Sequence, residues 1–361
     1  EVRHHGRDAL GTESGADTPK ALADGNDTIL GGAGEDLIIA GGGADVVNAG
    51  VGIDHVEGGS GEDDIQIQFA EAEFDYIHDN AGVNDQVINI GAGDVTLDNF
   101  FSTTNGIEEY LAAGHGVFGN ANANVLDFSQ TTTTNLAFID GLAADDVIKG
   151  SAVTAWADNL FGRAGNDLIY GFGGADLIEG GTEDDMLIGG GDADTIRGEA
   201  GSDVILGDSG LLEAAGGVLA PGEFRSLGRD VLLQAAPGGG ANADGGDDID
   251  GGVGDDLILG QGGDDDILGG DDDDDIIAGL GADTVDAGAG HDAVLGGDGV
   301  LVRTANQIRN TDGSARTEAR TVTLMPASGG VLDGGDDIDA NTGHDLVYGQ
   351  GGDDQIEGGL G

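Results

Sequence analysis

A nine-residue pattern, Gly-Gly-x-Gly-x-Asp-x-apolar-x, recurs through this 361-residue chain and limits the available folds more than any other feature. Five units run without a gap from Leu22 to Gln66, the cleanest being Gly31 to Ile39 and Gly58 to Gln66. Their sixth-position aspartates are Asp27, Asp36, Asp45, Asp54 and Asp63. A second block opens irregularly with Asp146 and Asp158 and continues with Asp167, Asp176, Asp185, Asp194 and Asp203. A third carries Asp247, Asp256, Asp265, Asp274, Asp283 and Asp292, and a fourth carries Asp336, Asp345 and Asp354. Two positions after the aspartate sits an aliphatic residue, as at Ile29, Ile38, Val47, Ile169, Ile178, Ile258 and Ile267.

These residue types dictate a geometry. Glycines at positions one, two and four permit positive-φ turns that aim carbonyls inward and let neighbouring turns approach closely. A strand of three residues is expected after each aspartate, with its middle, aliphatic side chain pointing inward. Two units make one coil of eighteen residues, so Asp27, Asp45 and Asp63 stack on one side and Asp36 and Asp54 on the other. The expected product is an all-β parallel β-roll, a β-solenoid with two columns of carboxylates.

One buried aliphatic residue per nine is too little to offset the conformational entropy of ordering them, and stacked carboxylates add repulsion. Composition sharpens the point. Leu, Ile, Val and Phe make up only 88 residues, while 70 Asp and Glu face 12 Lys and Arg, a net charge of −58. With no cysteine there is no disulfide framework, zinc-thiolate site or thiol nucleophile. The missing free energy must come from a hard divalent cation that takes carboxylate and carbonyl oxygens, and Ca2+ suits flexible sites of six to eight oxygens better than Mg2+. The same charge excludes a nucleic-acid partner, which needs a basic face, and an anionic membrane surface. No run approaches the ~20 apolar residues of a membrane span, so no membrane insertion is expected.

The pattern resembles the glycine-rich calcium-binding nonapeptide repeats of RTX, or hemolysin-type, proteins. That resemblance implies a parallel β-roll in which the sixth-position Asp and main-chain carbonyls of one turn share each Ca2+ with the next turn on the same side. Carried over residue by residue, it assigns metal binding to Asp27, Asp36, Asp45, Asp54, Asp63, Asp167, Asp176, Asp185, Asp194, Asp203, Asp247, Asp256, Asp265, Asp274, Asp283, Asp292, Asp336, Asp345 and Asp354. It further implies an extracellular or cell-surface location, since members include secreted toxins and enzymes and long surface adhesins, exported unfolded by type I secretion and folded in extracellular calcium. Several units depart from the pattern; at position four, Glu183, Asp192 and Asp272 stand where Gly is expected.

Two segments of 35 residues, 207–241 and 296–330, interrupt the roll and are copies of one unit. An offset of 89 aligns Asp203 with Asp292, Pro237 with Pro326 and Gly245 to Asp250 with Gly334 to Asp339, without a gap. Apolar ends around a polar middle predict a hairpin in each. Six of the twelve basic residues lie there: Arg225, Arg229, Arg303, Arg309, Arg316 and Arg320. Two readings of these arms stand. Either they dock one molecule on another, giving self-assembly, or they fold back over their own roll. Residues 67–140 hold nine of the 15 aromatics, among them Phe69, Phe74, Tyr76, Phe100, Phe101, Phe118, Phe128 and Phe138, and lack the glycine-rich turn. A wider β-solenoid section with an aromatic core, continuous with the rolls at both ends, is expected there; a separate small β domain is the alternative. The order is then a linker or tail (1–21), roll (22–66), wider section (67–140), roll (141–206), first hairpin insert (207–241), roll (242–295), second hairpin insert (296–330) and roll (331–361). Because the chain opens on Glu1 and stops four residues into a unit that begins at Gly358, it is expected to be a piece of a longer polypeptide.

Catalytic signatures do not hold up. Gly207-Asp208-Ser209-Gly210 resembles a serine-protease nucleophile motif, but its copy, Gly296-Gly297-Asp298-Gly299, has no serine. The Gly-x-Gly-x-x-Gly matches follow from 74 glycines, and no His-Glu-x-x-His occurs. His55, His291 and His344 flank sixth-position aspartates and read as solvated turn residues. The chain is therefore read as a non-enzymatic, calcium-stiffened rod of a large secreted or surface protein, such as a filament, surface layer or adhesin. The rival reading is the calcium-dependent export module of a type I secreted enzyme or toxin whose catalytic domain lies elsewhere.

Overall fold

A computed structural model describes residues 25–34, 36–51, 54–67, 76–78, 86–89, 94–97, 107, 109–152, 156–208, 210–214, 217–218, 232–235, 245–297, 299–303, 320–324, 335–350 and 352–360. All regular elements among them are strands. The chain divides into two compact units, Glu1–Arg163 and Ala164–Gly361.

In the first unit, strands Thr28–Ala33, Val46–Val51, Asp64–Ile67, Gln86–Asn89, Glu109–Leu111 and Thr132–Thr134 form one parallel sheet. Leu37–Gly42, His55–Ser60 and Tyr76–His78 form the facing one. The register gives the coil length directly. Ile29 pairs with Val47 and Val47 with Ile65, eighteen residues apart as the two-unit coil requires. Beyond Ile65 the partners are Val87, Tyr110 and Thr133, so each coil has grown to 22 or 23 residues. The extra residues widen the coil where aromatic rings must fit. Tyr110 and Phe128 are fully buried with centroids 5.8 Å apart, and Phe118 meets Phe138 edge-on at 5.0 Å. The wider section and its aromatic core are thus present. Phe69, Phe74, Phe100 and Phe101 lie outside the described residues, as do 1–21.

The second unit returns to the narrow coil. One parallel sheet stacks Leu177–Thr182, Thr195–Ala200, Asp248–Val253, Asp266–Asp271, Thr284–Asp286, Asp337–Asp339 and Gln355–Glu357. The other stacks Leu168–Gly173, Met186–Gly191, Val204–Asp208, Leu257–Gly262, Asp275–Leu280, Ala293–Leu295 and Leu346–Tyr348. The aliphatic eighth positions, such as Ile178, Ile196, Ile249 and Ile267 on one sheet and Leu187, Ile205, Ile258 and Ile276 on the other, meet as a single buried seam.

The strands differ from expectation in length. Three residues were expected after each aspartate, yet most narrow-coil strands have six, because the ladder continues through positions one to three of the next unit. That continuation depends on close backbone approach. A Cβ on Gly50 would stand 2.2 Å from the Gly32 carbonyl oxygen of the preceding coil. The departing units keep the turn nonetheless. Glu183, Asp192 and Asp272 adopt φ of 77°, 75° and 83°, the left-handed region that costs an ordinary residue about 1–2 kcal/mol.

Both inserts begin as antiparallel pairs. Gly210–Ala214 pairs with Leu232–Ala235 in the first, and Gly299–Arg303 with Arg320–Leu324 in the second.

Candidate metal centre

The sixth-position aspartates sit where strand follows turn, and of the nineteen all are buried except Asp36, Asp345 and Asp354, which are half-buried. Along each column the carboxylate is oriented by the main chain of the preceding coil. Asp45 Oδ1 accepts the Asp27 N–H at 2.7 Å and Asp63 Oδ1 the Asp45 N–H at 2.8 Å, while Asp54 Oδ1 accepts the Asp36 N–H on the other side. In the second unit one column runs Asp167, Asp185, Asp203, Asp256, Asp274, Asp292, Asp345, each main-chain N–H donating to the next carboxylate. The other runs Asp176, Asp194, Asp247, Asp265, Asp283, Asp336, Asp354. At each insert the separation of partners jumps from 18 to 53 residues, and the column continues unbroken.

One carboxylate oxygen is thus used by the backbone. The other, Oδ2, is buried without a hydrogen-bond partner at Asp27, Asp45, Asp185, Asp194, Asp265 and Asp274. An ionised oxygen in that position is costly unless a cation meets it. Burial pushes Asp185 and Asp274 up to about 9, Asp194 up to about 8 and Asp265 up to about 7; the backbone N–H pulls the other way and neighbouring column carboxylates push further up. Asp45 is raised for the same leading reason.

Where position one is glycine, that residue makes the space Oδ2 faces; Ala40, Ala49, Ala278, Ala287 and Ala340 hold the position in other units. A Cβ on Gly189 would lie 2.3 Å from both Asp194 Oδ2 and the Gly207 carbonyl oxygen of the next coil. On Gly260 it would lie 2.3 Å from Asp265 Oδ2 and 2.5 Å from the Ala278 carbonyl oxygen. In these units a carboxylate oxygen and a main-chain oxygen of successive coils therefore face one space that the missing Cβ leaves open. Among the described residues no three His, Cys, Asp or Glu side chains converge. A cation held here draws on carbonyls as well as carboxylates, the all-oxygen set of a hard ion such as Ca2+. The residues present fit that ion.

Three features lie outside the sequence reading. The first is Asn124, whose side chain takes the sixth-position place in the wider section: a Cβ on Gly119 would meet Asn124 Oδ1 at 2.4 Å and the Gly141 carbonyl oxygen at 2.6 Å. The irregular Asp146 follows it, accepting the Asn124 N–H at 2.6 Å. The second is a pair of resident cations there. Lys149 Nζ stands 2.8 Å from buried Asp127, and Arg163 Nε 2.9 Å from buried Asp140. The third is a ladder at position five, running the opposite way to the aspartate columns. The N–H groups of Asp184, Ser202, Asp255, Asp273, His291 and His344 donate in turn to the side chains of Asn166, Asp184, Ser202, Asp255, Asp273 and His291. Its signal was an acceptor at every second fifth position, a period of eighteen rather than nine.

The class these features define is a parallel β-roll whose turns are shaped for calcium. The RTX calcium-binding nonapeptide repeat family matches residues 23–56, 39–66, 157–187, 179–210, 242–276, 268–300 and 332–361, just over half of the chain. The chain belongs to that family, and its repeats form a calcium-binding β-roll segment. The matches stop where the coil widens and where the inserts depart. Comparison with curated proteins gives no match.

Proposed function

We propose that this segment is a non-catalytic rod of a large secreted or cell-surface protein, folded and stiffened by extracellular calcium bound at the nineteen aspartates. The observation that carries this reading is the continuity of the aspartate columns past both inserts. A roll that carries 35-residue decorations at an 89-residue period without losing its ion columns is suited to repetition along an extended array. A catalytic domain's export tail has no need of that periodic decoration.

Calcium supplies charge neutralisation between coils when bound; the chain supplies the oriented Oδ2 atoms, the glycine-made space and the carbonyls. Affinities of about 10⁻⁴–10⁻³ M, those of extracellular calcium modules, match the role. Negative-stain electron microscopy in millimolar calcium and after chelation tests it. Elongated particles or filaments that disappear with chelator are expected. Particles of unchanged compact outline in both conditions would sink the reading.

A further inference from the structure

The two sheets of the second unit carry different outer surfaces. On the sheet containing Thr195–Ala200, the outward seventh and ninth positions are largely acidic and reach solvent, with Asp248, Asp266 and Asp337 exposed and Asp250 and Asp339 half-buried. On the sheet containing Val204–Asp208, the same positions include Leu168, Val204, Leu206, Leu259, Ile277 and Leu295, all six buried even though they point away from the roll's interior, with Tyr170 half-buried beside them. Leu206 and Leu295 are 0 % exposed, whereas Leu268 on the acidic sheet is 41 % exposed. Something covers the apolar sheet.

Both inserts leave the roll from that sheet, after Val204–Asp208 and after Ala293–Leu295. Strand Gly299–Arg303 of the second insert lies against Asp275–Leu280, one coil before its point of departure. Three coils of eighteen residues and one insert of 35 account for the 89-residue period, so each insert has three coils of apolar sheet to itself. Past the second insert the same two positions are Leu346 and Tyr348, and Tyr348 is 36 % exposed.

The two copies also differ in a matched way. Within the apolar outer rows one charged residue is buried, Asp275; its equivalent 89 residues earlier is Met186. Arg303 and Arg320 are register partners in the second hairpin, and their equivalents in the first are Ala214 and Val231. Two like charges placed opposite each other in a hairpin are unfavourable unless a counter-charge is near. An aspartate appears in the roll where two arginines appear in its hairpin, and none of the three is present in the other copy.

We infer that each insert closes over the three coils preceding it in its own chain, apolar on apolar in the first copy and with Arg303 and Arg320 meeting Asp275 in the second. The surface is an intramolecular one, and the occupant is the chain's own hairpin rather than a second molecule.

Because the chain has no cysteine, disulfide trapping reports the contact cleanly. Ile277→Cys is combined in turn with cysteine at each position from 299 to 303, oxidised in calcium and run on a denaturing, non-reducing gel. At least one pair is expected to cross-link within a monomer. Cross-linked dimers in place of that monomer, or no link in any of the five, overturn the inference. Charge reversal gives a second readout. Asp275→Arg is expected to lower Tm in calcium by more than about 5 °C, and adding Arg303→Glu with Arg320→Glu to recover at least half of the loss. An unchanged Tm for the single variant, or no recovery in the triple variant, removes the ion pairing, and the triple variant decides the matter even if the single one fails to fold.

Discussion

An aspartate in these columns does two jobs with one side chain, Oδ1 tying the coil to its neighbour and Oδ2 facing the ion space. Asp194→Asn keeps the first and loses the charge needed for the second. In saturating calcium it is expected to destabilise by about 3–5 kcal/mol, the cost of breaking a buried charge pair. In calcium-stripped protein the sign reverses, since a neutral amide relieves column repulsion; chemical unfolding in the two conditions checks both halves. Glycine substitutions separate space from conformation. Gly189→Ala drives a Cβ into Asp194 Oδ2 and the Gly207 carbonyl oxygen and is expected to raise the calcium midpoint of folding, while Gly173→Ala, with nothing within 4 Å and no positive φ, is expected to stay within about 0.5 kcal/mol of the parent. Protonation works in the same direction as the amide. Asp185, Asp194, Asp265 and Asp274 have folded pKa values raised by burial above the unfolded value near 4, so in stripped protein their favourable contribution is fully present below about pH 4 and is lost as pH rises through 7 to 9. Calcium-stripped protein is therefore expected to show more β circular dichroism at pH 5 than at pH 9. Equal or smaller signal at pH 5 counts against a buried-charge penalty in the columns.

At the scale of the element, the narrow and wide coils solve one electrostatic problem by different means. The narrow coil leaves carboxylate oxygens for an external ion. The wide coil brings its own cations, Lys149 to Asp127 and Arg163 to Asp140, with the Arg163 guanidinium also 4.4 Å above the Phe161 ring. Lys149→Met is expected to cost about 1.5–3 kcal/mol, the range for a charged hydrogen bond, and thermal unfolding at several calcium concentrations should show a loss that added calcium does not repair. Where the cations come with the chain and two aromatic rings are buried, order is expected to survive chelation longer. Hydrogen exchange after calcium removal is expected to leave residues 109–149 more protected than 167–297. Uniform loss across both stretches would mean that calcium in the columns holds the wide coils as well.

For the whole molecule, the sixth-position register, the inward aliphatic seam and the calcium chemistry were legible in the sequence because they repeat at the period of the local unit. Every ninth residue meets the same turn, and a composition with one aliphatic side chain per unit and a net charge of −58 leaves an ion as the remaining source of cohesion. The hairpins were legible from their apolar ends, and the wider section from its aromatics. What escaped was whatever the nine-residue consensus does not itself specify. The length of the strands follows from backbone contact between residues 18 apart. The place of Asn124 follows from a glycine-made space that its nine-residue neighbourhood barely resembles. The position-five ladder and the contrast between an acidic and an apolar outer sheet appear only when alternate units are sorted onto opposite sides of the roll. The repeat by itself determined that this chain coils and where its carboxylates stack, because those follow from local turn geometry and spacing. Only the tertiary structure decided how wide each coil is where the repeat lapses and that Gly299–Arg303 lies against Asp275–Leu280, because both are set by packing of residues that lie outside the nine-residue pattern.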